Sequence, residues 1–74
     1  MVMKKRPVIG NVILIEHDGR PTVWPVERSG ADDKIHLLEV FETARRMCYS
    51  ELRLGGTLKL MDADNNLIEE YRSV

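Results

Sequence analysis

One stretch of this 74-residue chain has sustained helical spacing, and it limits what the rest can fold into. Residues 37–50, LLEVFETARRMCYS, put Leu37, Phe41, Ala44 and Cys48 at i, i+4, i+7 and i+11. Val40 and Met47 widen that apolar stripe. Glu39, Glu42, Thr43, Arg46 and Ser50 fall on the opposite face. Glu42 precedes Arg46 by four residues, the favourable order for a helical ion pair. The helix must stop before Gly55-Gly56. Three starts are open: a capping box at Ser29-x-x-Asp32, a cap at Asp33, or a first turn after His36.

Everything else has strand and turn character. Residues 8–16, VIGNVILIE, form a β-branched run. Val12 and Leu14 face one way, and Ile9, Ile13 and Ile15 the other. Both faces are apolar, which predicts a central strand. His17-Asp18-Gly19-Arg20 carries an Asp-Gly turn signal, and residues 22–27, TVWPVE, form the return strand. Pro25 cannot donate to a ladder, so this strand belongs at an edge. Beyond the helix, residues 57–61 alternate, with Leu58 and Leu60 inward. Residues 62–66 make a turn, and residues 67–72 a last strand with Leu67 or Ile68 inward. The expected fold is therefore α+β, in the order β-β-α-β-β. Two hairpins build a mainly antiparallel four-stranded sheet with the helix on one face.

The length fits one small domain spanning residues 1–74, with 1–6 as a flexible charged tail. A core of this size supplies only a few kcal/mol of net stability, so a partner or self-association matters to it. Net charge is −1, which gives no overall pull toward nucleic acid or an anionic membrane. Cys48 is the only cysteine, which excludes an intramolecular disulfide and suits a reducing, cytoplasmic setting. No apolar run is long enough to cross a bilayer. The basic start followed by residues 8–15 lacks the cleavage site of a signal peptide.

Several residues match a known pattern. Trp24-x-Val26-x-Arg28-x-Gly30 resembles the W-x-V-x-x-x-G segment of a small bacterial family, the domain of unknown function 2188. Glu39-Val40-Phe41, Ala44-Arg45 and Met47-Cys48 stand in register with that family's helix. Thr57-Leu58-Lys59-Leu60 and Asp64-Asn65-Asn66-Leu67-Ile68 look like its closing hairpin. The resemblance runs from about His17 to Ser73. It implies a β-β-α-β-β domain and brings no activity with it. Size and element order are also similar to small phage proteins that inhibit host machinery by docking on it.

Catalytic and metal chemistry find no foothold in the pattern. Asp62-x-Asp64-x-Asn66 opens like a calcium loop, but Leu67 and Ser73 occupy the positions of the required Gly and Glu. His36 and Cys48 would stand roughly 18 Å apart along one helix, too far for a dyad. The two histidines and one cysteine lack zinc-ligand spacing. Gly55-Gly56 follows a helix, whereas phosphate cradles precede one. Glu69 and Glu70 point to opposite faces of a strand. The expectation is no enzyme, no cofactor and no metal.

What remains is surplus apolar surface. One helix covers one face of a four-stranded sheet, so Ile13 and Ile15 should be left on the open face, with Trp24 or Val23 and Met61. The expected function is a small non-enzymatic protein-interaction module, a regulator or inhibitor that docks on a larger protein. Its candidate contacts are Ile13, Ile15, Trp24, Glu39, Glu42 and Arg46, with strand addition at the Trp24 edge as one mode. The alternatives are a structural homodimer closing the open face and a nucleic-acid binder. The latter would use Lys4, Lys5, Arg6, Arg45, Arg46 and Arg53.

Overall fold

The computed structural model describes residues 7–72; the expected tail, residues 1–6, lies outside them. The elements are β1 (Val8–Ile15), β2 (Pro21–Glu27), α1 (Asp33–Met47), α2 (Tyr49–Arg53), β3 (Thr57–Asp62) and β4 (Leu67–Arg72). They form one antiparallel sheet in the order β2-β1-β3-β4. The doubly apolar β1 is central and the proline-bearing β2 is an edge, as their sequences predict. The β-β-α-β-β order holds, with α2 as an unforeseen short addition.

Side chains on one face of the sheet meet α1. Val12 and Leu14 of β1 stand beside Leu60 and Leu58 of β3, and all four are buried. Leu37 and Phe41 of α1 and Leu52 of α2 close over them. Val26, opposite Gly10, is the only β2 side chain in this core. Ile9 was expected on the far face with Ile13 and Ile15. Instead it is 8% exposed and belongs to the core. A bulge between Val8 and Gly10 inserts one residue into β1 and shifts the side-chain phase there. A second bulge between Leu60 and Met61 lets Ile68 pack against the core, with Tyr71, while Leu67 stays exposed.

Both hairpins use one turn geometry. Glu16 N–H donates to Arg20 O at 2.9 Å and Gly19 N–H to Glu16 O at 2.8 Å. Asp62 N–H donates to Asn66 O at 2.9 Å and Asn65 N–H to Asp62 O at 3.1 Å. The left-handed residues are Gly19 and Asn65, with φ of 89° and 63°. An aspartate braces each turn. Asp18 accepts from Arg20 N–H at 3.1 Å, and Asp62 Oδ1 accepts from Asp64 N–H and Asn66 N–H, each at 2.9 Å. The Asn66 N–H bond is the largest cause that holds the Asp62 carboxyl below its ordinary range. Asp62-x-Asp64-x-Asn66 is therefore turn chemistry, with the first carboxylate turned onto its own loop.

The helix begins earlier than residue 37. Asp32 is its N-cap, accepting from Lys34 N–H at 3.1 Å and Ile35 N–H at 3.2 Å. Arg28 grips Asp33 through two guanidinium contacts at 3.2 and 3.0 Å, joining the end of β2 to the first turn. At the other end α1 breaks at Cys48. The short α2 then closes with Gly55 N–H on Leu52 O and Gly56 N–H on Glu51 O, both at 3.1 Å, a Schellman arrangement.

One contact ties the first hairpin to α2. Glu51 Oε1 accepts from His17 N–H at 2.8 Å and lies 2.7 Å from His17 Nδ1. That bond raises the His17 pKa above its ordinary value, and Glu51's charge adds to it. The His17 backbone N–H and ring lower the Glu51 pKa. A raised histidine value stabilises the fold fully below the unfolded pKa of about 6.5, and the gain fades as pH rises through the folded value. A lowered glutamate value stabilises above about 4.3, and that gain is lost as pH falls through the folded value. The pair therefore contributes most between these limits. Thermal melts should show the gap between the parent chain and Glu51→Gln widest in that acid window and narrower in alkali. A gap independent of pH would refute this account.

Candidate functional site

The site begins with where α1 sits. It lies chiefly over β1 and β3, and of β2 only Val26 joins the core beneath it. At Gly10 the Leu37 side chain and the β3 backbone come so close that no larger residue fits. On the helix side of β2, Thr22 and Trp24 are therefore left exposed, and Val26 alone is buried. Between α1 and β2 runs an apolar groove of about 430 Å³. Val12 is its floor and Trp24 one wall, while Val40, Ala44, Met47 and Cys48 form the other, with His36, Glu39 and Thr43 also lining it.

Trp24 stands opposite Val12, on the helix side of the sheet, and is 43% exposed. Val23 is opposite Ile13 on the other side. The open face therefore carries Ile13 and Ile15 with Val23, Pro21 and Pro25, and the register adds Met61 and Leu67. Toward β4 it turns polar, where Lys59 lies 3.8 Å and Arg72 3.5 Å from Glu70. Apolar surface is thus uncovered on both sides of β2.

The six sequence candidates separate into three places. Ile13 and Ile15 are half-buried on the open face. Trp24 and Glu39 both line the groove. Glu42 faces a hollow toward β4 that Arg45, Glu69 and Tyr71 also line, Arg46 is exposed, and their expected pair is loose at 4.0 Å. Glu42 instead takes Arg45 at 2.7 Å, and Arg45 also covers the Tyr71 ring at 5.1 Å. Met47 does not widen the buried stripe. It is 82% exposed at the groove, because the helix covers too little sheet to reach it. Cys48 is half-buried, and desolvation, followed by the Glu51 charge, pushes its thiol pKa up. It therefore stays protonated near neutral pH and is a poor nucleophile.

Strand addition at the Trp24 edge meets an obstacle in the ladder. The Glu16–Arg20 bond sets the phase of the β1–β2 pairing. Alternation then makes Leu14/Thr22, Val12/Trp24 and Gly10/Val26 the bonded pairs, and turns the backbone of residues 21, 23, 25 and 27 to the free edge. Positions 21 and 25 are proline, so only Val23 and Glu27 keep an outward N–H among them. The prolines blunt this edge against a docking strand. This arrangement could be found in the sequence only once the hairpin register was known.

Among the described residues, no helix is long and apolar enough to cross a membrane. Comparison with protein-family models, curated proteins and solved structures finds no match.

Proposed function

We propose that this chain is a small non-enzymatic protein-interaction module that docks on a larger protein through side chains around β2. The observation that carries this reading is the exposure of β2 on both faces. Val23 and Trp24 are 54% and 43% exposed, although the core beside them is complete. Apolar surface of this kind on a small domain is costly to leave in water and gains free energy when a partner covers it. The blunted edge favours contact through faces over strand pairing. A regulator or inhibitor acting by occlusion fits such a surface.

A photoreactive residue in place of Val23 or Trp24 should crosslink one discrete partner in cell extract. The same residue in place of Asp64, in the β3–β4 turn, should not. Crosslinking at positions 23 and 24 no stronger than at position 64 would overturn the reading. A single crosslinked species with twice the chain mass would instead favour the homodimer.

The nucleic-acid reading draws less support. Arg45 is held by Glu42 and Tyr71, and Arg53 lies 5.8 Å from the Tyr49 ring centroid. Lys4, Lys5 and Arg6 lie outside the described residues. The side chains available for a shared phosphate-binding surface are correspondingly few.

A further inference from the structure

We infer that the groove between α1 and β2 is the seat of a helical segment of a partner protein, one that carries a basic side chain beside its apolar stripe. This rests on the interaction-module reading and names the surface and the partner's chemistry. The first argument is coverage. Strands lie about 4.8 Å apart and a helix is about 10 Å across, so one helix covers about two strands. Here α1 packs chiefly over β1 and β3, and beyond Val26 the lane over β2 stays open beside Trp24. The groove follows α1 from His36 to Cys48, roughly 18 Å at the helical rise. That length suits about three turns of a second helix with anchors at i, i+4 and i+7.

The second argument is the polar chemistry of the walls. Both tyrosines are covered by the chain's own guanidinium groups, Tyr71 by Arg45 at 5.1 Å and Tyr49 by Arg53 at 5.8 Å. Trp24, the stronger π face, has no such cation among the described residues. Glu39 lines the same groove and has no ion-pair partner among the described residues. An indole face and a free carboxylate beside an apolar floor suit an arginine or lysine whose neighbours are apolar. The third argument is exclusion of a strand: prolines occupy two of the four outward amide positions of β2.

Trp24 is the sole tryptophan, so its emission reports on this groove directly. The test titrates the full chain with three synthetic peptides. One is a lactam-bridged helix with a leucine stripe flanked by arginine. The second carries glutamate in place of that arginine. The third is an alternating Val/Thr strand former with the same arginine content. The basic helix alone should give a saturable shift of Trp24 emission. Glu39→Lys should weaken it about tenfold, while Asp64→Lys, the same charge change in a distant turn, should leave it within about twofold.

Equal response to the acidic helix, tighter binding of the strand former, equal effects of the two lysine variants, or no saturable shift up to about 1 mM would each overturn the inference. So would a shift of Trp24 emission without peptide on replacing Lys4, Lys5 and Arg6 together by alanine. The groove would then already hold the chain's own N-terminal segment. If residues 23 and 24 crosslink a partner whose capture ignores Glu39→Lys, this inference fails and the module reading stands.

Discussion

Gly10→Ala is expected to abolish stable folding. The added methyl would run into the carbonyl oxygen of Met61 and stand 2.8 Å from Leu37 Cδ2. Neither neighbour can give way cheaply. The Met61 oxygen is backbone of β3, paired alongside β1, and Leu37 is a core side chain only 4% exposed. Relief requires α1 to lift or the β1–β3 ladder to open. Overpacking of this kind costs about 1–3 kcal/mol, and more when backbone must move. The total stability of a domain this size is only about 3–5 kcal/mol. Urea unfolding followed by circular dichroism measures the loss. Gly19→Ala is the comparison: its added methyl meets nothing within 4 Å, and only its φ of 89° resists substitution. A Gly10→Ala chain within about 1 kcal/mol of the parent would mean that β3 and Leu37 do not close on β1 at this point.

The same glycine explains why the fold was legible in the sequence and the groove was not. Strand order follows from local chemistry. β1 is apolar on both faces and must be central, and Pro25 must be at an edge. The helix stripe of Leu37 and Phe41 finds the core because period alone decides which side is buried. Lateral position is different. Whether α1 lies over β1 and β3 or farther toward β2 leaves its periodicity unchanged. It is set by three-dimensional packing, including the close approach of Leu37 to Gly10 beside the bulge, which no periodicity records. The period-two pattern therefore placed Ile9 on the wrong face, and the helical period counted Met47 as buried when the sheet ends short of it. Tyr71, half-buried under Arg45, gave no signal because the polar residues around it hid a register shift. Of the candidate contacts, Trp24 and Glu39 came together only through the lateral placement of the helix.

Leu60→Ala should be the most damaging truncation in the core, and Trp24→Ala a mild one that removes the proposed docking. Leu60 is fully buried at the centre of β3, opposite Val12. Its loss leaves a cavity bounded by two paired strands and the helix, elements that cannot collapse to fill it. The cost is about 3–4 kcal/mol, transfer and cavity terms together. In so small a domain that leaves a largely unfolded chain at ambient temperature. Trp24 is a larger side chain, yet 43% of it is already in water and it borders an open groove. Truncation there leaves no closed cavity, and the expected cost is about 1–2 kcal/mol, from the covered half of the indole alone. Calorimetry or chemical denaturation gives both stabilities, and the crosslinking assay with the photoreactive residue at Val23 gives the docking. A stable Leu60→Ala chain would contradict the packing of the sheet against α1. A Trp24→Ala chain that loses stability as severely as Leu60→Ala would make the indole a core residue. It would also withdraw the main support for β2 as a surface that a partner covers.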